Sequence, residues 1–249
     1  MLISCQNVSL GYEGHAVIHD INFTVENGDY LWVVGENGSG KTTLIKGILS
    51  LLNPLDGSFV FCDELKKGRI GYLSQHSAPN KDFPAGVNEV VLSGSLGGMG
   101  LRPFYTSNEK RLAEEALDQL GVKPLAKKSY QELSGGQQRR VLLARALVSS
   151  RIGNRGKEEN KTARLLVLDE PAAGLDPLVT VEVYDLLKTL NQQMGITIIM
   201  VSHDIRAAAK HANRILHIQD GVGFFSDKAE YLRSDIGKRF FGRETEGRE

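Results

Sequence analysis

The stretch "GENGSGKT", Gly35 to Thr42, constrains the chain more than any other. It satisfies G-x-x-x-x-G-K-[ST] at every specified position, which chance alone produces in roughly one chain in fifty of this length. Its flanks narrow the choice further. The apolar run "YLWVV", residues 30–34, reads as a buried strand ending at Gly35, and a helical pattern follows from about Lys41 to Leu52. In that order, the glycines let backbone N–H groups turn inward around β- and γ-phosphates, and the helix N-terminus adds positive potential. Lys41 would neutralise phosphate charge, and the Thr42 hydroxyl would complete a Mg²⁺ shell. The bland alternative is a glycine-rich turn with no ligand.

Strand and helix patterns alternate around this loop. "LISCQNVSLGY" and "AVIHDINFTV" read as strands, as do the short "GSFVFC" and "RIGYLSQ". A helical region covers roughly 86–149, broken by "SGSLGGMGLRPF" and "GVKPL". "RLLVLDEP" and "ITIIMVSHD" are buried strands with the helix "PLVTVEVYDLLKTLNQQ" between them. A helix over about 205–212, a strand pair around "HIQDGVGFF" and a charged tail expected to fray complete the chain. This alternation predicts an α/β fold with a largely parallel sheet covered on both faces, into which the helical block is inserted. The polar segment 150–163, "SRIGNRGKEENKTA", reads as an exposed, mobile loop.

Composition sets outer limits. With 249 residues, 41% of them hydrophobic, the chain can bury a substantial core. Lys+Arg and Asp+Glu both number 30, which argues against a nucleic-acid binder relying on bulk positive charge. Cys5 and Cys62 lack metal-ligand spacing, as expected of a reduced cytoplasmic protein, and the six scattered histidines form no cluster. No basic stretch leads into an apolar core at the N-terminus, so a signal peptide is not expected, and no apolar run approaches membrane-spanning length.

Other motifs carry chemistry that a phosphate loop needs. An apolar strand ending in "DEP" puts Asp169 and Glu170 at the C-terminal edge of the sheet, where ligands of open α/β sheets sit. Asp169 could hold magnesium, and Glu170 could orient or deprotonate an attacking water; alone, the motif reads more readily as a helix start, and the phosphate loop beside it reverses that preference. Gln75, closing the strand "IGYLS", could reach a metal or a water at the γ-phosphate. His203, at another strand end, could contact that phosphate or simply cap a helix. Tyr12 lies in "LGYEGHAV", where its ring could stack on a base for about 1–3 kcal/mol or merely pack. Asp176 before Pro177 reads as an N-cap followed by proline at N1. Most unusual is "LSGGQQRR", residues 133–140: a second glycine-serine helix start in a chain with a single phosphate loop.

Phosphate loop, glutamine, LSGGQ, LDEP, LD and SHD occur in the order and spacing of ATP-binding-cassette (ABC) ATPases, which the chain resembles over about residues 2–230. The resemblance implies a P-loop NTPase fold: a RecA-like mixed sheet core, an N-terminal antiparallel β-subdomain and an α-helical signature subdomain inserted over 86–149. One ATP-binding domain would span 2–230, followed by a short tail, 231–249. It implies a hydrolase of ATP with Mg²⁺ that works as a head-to-tail dimer of two copies. By position, Tyr12 resembles the adenine-stacking aromatic. Gly35, Glu36, Asn37, Gly38, Ser39, Gly40, Lys41, Thr42 and Thr43 resemble the phosphate loop. Asp169 resembles the metal aspartate, with Thr42 and Gln75 as further metal donors. Glu170 resembles the catalytic base, Gln75 the switch glutamine and His203 the γ-phosphate histidine. Ser134, Gly135, Gly136 and Gln137 resemble the signature that reaches ATP on the other subunit, and Asp176 the aspartate that crosses the seam.

The segment "QHSAPNKDFPAGVNEVVLSG" resembles the zinc, manganese and iron uptake group of bacterial cassettes, through Phe83, Pro84, Val87 and Glu89. This implies integral membrane permease subunits as partners, an extracytoplasmic solute-binding protein at one remove, no nucleic acid, and a peripheral place on the cytoplasmic face of the membrane. Importers of iron chelates are close relatives that could share the pattern. Soluble cassettes acting on DNA or ribosomes usually add coiled-coil inserts, zinc modules or a second cassette, and none is visible here. The 150–163 stretch is longer than the link usual in the family.

Overall fold

The computed structural model describes residues 1–63, 65, 70–75, 84–151 and 164–246. The chain divides into two compact units, Met1–Cys62 with Thr197–Glu249, and Asp63–Ile196.

In the first unit, alternation interrupted by a register shift between Cys5 and Val8 builds an antiparallel pair from β1 (Ile3–Tyr12) and β2 (His15–Val25). Ile3, Cys5, Val8 and Leu10 stand opposite Val25, Phe23, Ile21 and Ile18, and all eight are buried. Such apolar cross-strand pairs each contribute roughly 0.2–1 kcal/mol. β4 (Asp56–Phe61) adds to the other edge of β1, also antiparallel. This is the N-terminal subdomain expected from the sequence.

The parallel part centres on β3 (Tyr30–Val34), every residue of which is buried. It lies between β7 (Thr197–Val201) and β8 (Arg214–Gln219), parallel to both. β9 (Val222–Asp227) returns antiparallel to β8 and meets β2 at His19. The strand order in this unit is therefore β4-β1-β2-β9-β8-β3-β7. Helix α1 (Lys41–Ile48) follows β3 and stops short of the expected Leu52. Ser50 turns left-handed at φ 56°, the Ser50 N–H donates to the Gly47 carbonyl, and the Leu51 N–H reaches back to Lys46. That Schellman pairing ends the helix although the apolar pattern continues.

The tail expected to fray is instead helical, a correction to the sequence reading. α8 (Lys228–Arg233) and α9 (Asp235–Glu246) occupy it, after the short α7 (Ile205–His211). Asp227 caps α8 by accepting from the Glu230 N–H, and Tyr231 is fully buried. The Tyr231 hydroxyl lies 2.7 Å from His217 Nδ1 on β8, and the Phe240 ring meets that imidazole edge-on at 4.2 Å. Two aromatic anchors outweigh the charged composition around them.

Burial, with the nearby Lys41 ammonium adding to it, pushes the His217 imidazole down from 6.5 to about 4. Above pH 6.5 the folded and unfolded chains both carry it neutral. Between 6.5 and about 4 the unfolded chain takes up a proton that the folded chain refuses, so stability falls; below about 4 the difference is constant. Replacing both His217→Leu and Tyr231→Phe should therefore flatten this acid branch. Urea unfolding at pH 7 and pH 4.5 is expected to show the variant losing less stability than the natural chain by on the order of 2 kcal/mol. Equal losses would mean that His217 is not the group responsible.

In the second unit β5 (Ile70–Leu73) and β6 (Leu165–Asp169) pair in parallel. The helical block contains α2 (Val87–Leu92), α3 (Leu96–Met99), α4 (Ser107–Gln119) and α5 (Gly135–Arg151). After β6 comes α6 (Pro177–Met194). α5 lies so close to β5 that a Cβ on Gly71 would stand 2.2 Å from the Ala146 carbonyl oxygen, so only glycine fits there. Thr106 and Glu109 form a capping box at the start of α4, and Arg102 bonds Glu109 at 2.8 Å, which ties the glycine-rich segment before it to the helix. Of the polar segment 150–163, Ser150 and Arg151 end α5, and 152–163 lie outside the described residues.

Candidate active site

The phosphate loop shows why its residue types are required. A Cβ on Gly35 would stand 2.2 Å from the Ile218 carbonyl oxygen and 2.8 Å from Ser39 Oγ. One on Gly40, at φ 100°, would stand 2.3 Å from Ile18 Cγ2. β8 and β2 thus crowd the loop from both ends. Lys41 is only 7% exposed, and its ammonium donates to the carbonyls of Gly35 (2.9 Å) and Glu36 (2.7 Å), which holds the positive charge within the loop. Gly40 gives α1 no side-chain cap, so the N–H groups of its first turn have no competing hydroxyl or carboxylate there. Thr42 is exposed while Thr43 is buried beneath it.

Tyr12 ends β1 and is 44% exposed. Lys46 of α1 donates to its hydroxyl at 3.0 Å and sits 5.2 Å from the ring centroid; that hydrogen bond is the main influence lowering the phenol's pKa. The ring is therefore oriented at the surface rather than packed in the core. His203 follows β7 and is exposed. The cap of α7, one role weighed for His203, belongs to its neighbour: Asp204 accepts from the Ala207 N–H at 2.9 Å.

The second unit gathers the acids. Asp169, the last residue of β6, is buried. Glu170 takes φ 46°, a left-handed conformation that costs a glutamate about 1 kcal/mol or more. Gln75 Nε2 donates to Glu170 Oε2 at 2.9 Å, which joins two residues that are far apart in the sequence. At the signature, Ser134 Oγ accepts from the Gln137 N–H (3.4 Å) and Gln137 Oε1 accepts from the Ser134 N–H (3.1 Å), a reciprocal cap on α5. Gly135 is exposed, and a Cβ on Gly136 would stand 2.7 Å from Val179 Cγ1. Asp176 caps α6 by accepting from the Leu178 N–H at 2.9 Å.

Sequence motifs pass over Arg139. It is 8% exposed and donates through Nη2 to the Glu170 carbonyl and through Nε to the Pro171 carbonyl. Burial lowers its pKa, against which Tyr130, Asp169 and Glu170 act. Its neighbour Arg140 makes a salt bridge to Glu182 at 2.6 Å from a more exposed position. Helical phase was the available signal: Arg139 lies three and four residues before the buried Leu142 and Leu143.

The ABC transporter family profile matches residues 18–173, more than half of the chain and including the phosphate loop, Gln75, the signature and the Asp169–Glu170 pair. The chain belongs to the ABC transporter family. It is 35% identical over 236 residues to the zinc uptake system ATP-binding protein ZurA of Listeria innocua, covering 92% of this chain and 87% of that protein. To the manganese transport system ATP-binding protein MntB of Bacillus subtilis it is 32% identical over 248 residues, covering 98% and 94%. Its fold matches that of a metal-chelate type ABC transporter in an inward-facing conformation at TM-score 0.82 and 28% identity, covering 97% of this chain and 89% of that one. The chain is an ABC-type ATPase with the mixed α/β fold of the family's cassettes.

This ABC cassette fits a nucleotide's phosphates on its own geometry. Side chains at Gly35 and Gly40 would close the loop, and Ser39 Oγ is buried without a protein partner. The positions resembling the metal-uptake cassettes also serve local structure. Val87 is buried, Glu89 accepts from the Gly86 N–H at 2.8 Å at the start of α2, Pro84 is exposed, and Phe83 lies outside the described residues. Among the described residues, no helix is long and apolar enough to cross a membrane.

Proposed function

We propose that this chain is the ATP-hydrolysing subunit of a metal-ion importer, working as a head-to-tail dimer bound to integral membrane permease subunits. The observation that carries this is similarity over nearly the whole chain to ATP-binding proteins of zinc and manganese uptake systems. Tyr12 offers its ring face to the adenine. Gly35 to Thr43 wrap the phosphates, with Lys41 neutralising them through an ammonium the loop already holds. Thr42, Gln75 and Asp169 are oxygen donors suited to Mg²⁺, which when bound neutralises further phosphate charge. The Glu170 carboxylate orients the attacking water and takes its proton, steadied by the Gln75 amide. His203 donates to the γ-phosphate. Ser134 and Gln137 leave their own-chain cap and, with Gly135 and Gly136, bind the γ-phosphate held by the second copy, and Asp176 reaches across the same seam. One chain thus carries two half-sites. The dimer lies on the cytoplasmic face of the membrane, and an extracytoplasmic solute-binding protein delivers the cargo to the permease.

The test is ATPase activity of the complex in a bilayer. With its permease and solute-binding protein, activity should rise severalfold when zinc or manganese is supplied. The likeness to a metal-chelate type transporter favours a second reading, an iron-chelate importer. Stimulation by an iron chelate alone would select it. Co-purification with ribosomes or DNA instead of a multi-span membrane protein would overturn both.

A further inference from the structure

Arg139 does more than fill space beneath the signature helix. β6 ends at Asp169, so the carbonyls of Glu170 and Pro171 leave the sheet ladder and need donors elsewhere. The Ala173 N–H supplies one to Glu170 at 3.1 Å. The Arg139 guanidinium reaches both carbonyls, one through Nη2 and the other through Nε. A guanidinium presents these donors from a single rigid plane, so the two bonds together fix the orientation of two successive peptides, Glu170–Pro171 and Pro171–Ala172, relative to each other. The first of these peptides follows a residue held at φ 46°, a conformation a glutamate keeps only where its surroundings impose it. The Glu170 side chain leaves this backbone to place Oε2 2.9 Å from Gln75 Nε2. Relaxation toward negative φ would swing the carboxylate off that line.

We propose that Arg139 is a positioning residue for hydrolysis: from the signature helix it sets the backbone that aims the Glu170 carboxylate. The inference rests on the assignment of Glu170 as the base. α5 begins at the signature, so the helix that presents Ser134 also orients this chain's own base. Arg140 serves as a control, since its guanidinium pairs with the Glu182 carboxylate instead.

The experiment compares the full-length chain with Arg139→Lys, Arg139→Gln and Arg140→Lys, each also combined with Glu170→Gln. Lysine keeps the charge but not the planar fork, and glutamine keeps a planar donor pair without the charge. Single-turnover hydrolysis should fall about 10- to 100-fold in Arg139→Lys, the scale of a small misplacement of a reacting group. Nucleotide affinity should stay within about twofold, since no contact to nucleotide is removed. Arg139→Gln should fall between Arg139→Lys and the natural chain, and Arg140→Lys should match the natural chain. In the Glu170→Gln background Arg139→Lys should add no further slowing, because the group it aims is already disabled. Natural rates in Arg139→Lys, equal loss of affinity and rate, the same slowing repeated on Glu170→Gln, or loss of fold in both Arg139 variants would each overturn the inference. If Glu170→Gln alone is silent, the base assignment falls and this inference with it. A slow Glu170→Gln beside a fast Arg139→Lys overturns this inference alone.

Discussion

Glu170→Gln is expected to bind ATP with near-natural affinity yet hydrolyse it about 10²- to 10⁴-fold more slowly, the range that a positioned general base supplies. The amide is isosteric with the carboxylate and keeps an oxygen that can accept from Gln75, now 2.9 Å from Oε2. It also leaves the backbone interactions at Glu170 in place, including the Arg139 contact to the carbonyl. What disappears is the capacity to take a proton from water. ATP should then hold a stable dimer, visible by size-exclusion chromatography and absent with ADP. Hydrolysis within a few-fold of the natural rate would remove Glu170 from the base role.

The second large effect concerns the two glycine-serine helix starts. Lys41→Ala removes the ammonium held between the Gly35 and Glu36 carbonyls, and Ser134→Arg fills the signature. Each alone should abolish nucleotide trapping with vanadate, since in a homodimer either change damages both composite sites. Ser134 is exposed, so an arginine there meets no core, and losing its cap on α5 should cost only about 1 kcal/mol. In a mixed dimer the Lys41→Ala loop faces the Ser134→Arg signature, which puts both lesions in one site. The other site pairs an intact loop with an intact signature. If Ser134 acts across the seam, mixing two inactive proteins restores trapping at one site per dimer. If it serves only its own chain, every site keeps a lesion and nothing returns. A tagged pull-down establishes that mixed dimers form, so that an absence of trapping counts against the trans role.

Much of this protein is legible in its sequence because the requirement is local. Gly38 and Gly40 turn at φ 83° and 100° between a strand and a helix, a backbone conformation that favours glycine, and the motif carries that demand at Gly40. β1 and β2 announce themselves by alternation, and β3, β6 and β7 by uninterrupted apolar runs. Asp176 before Pro177 caps α6 as that pair of residues suggests.

Other features had to await the tertiary structure. α1 ends early because Ser50 turns left-handed, against an apolar pattern that runs on. The charged composition of the tail hides Tyr231 and Phe240, whose partner His217 is on another element. Two adjacent arginines look alike in "QQRR", yet Arg139 holds the Glu170 peptide while Arg140 pairs with Glu182. In each case the deciding partner is supplied by the fold. Local backbone requirements are written in consecutive residues, whereas the role of a side chain that must satisfy a distant carbonyl, ring or carboxylate exists only once folding has brought that group within reach.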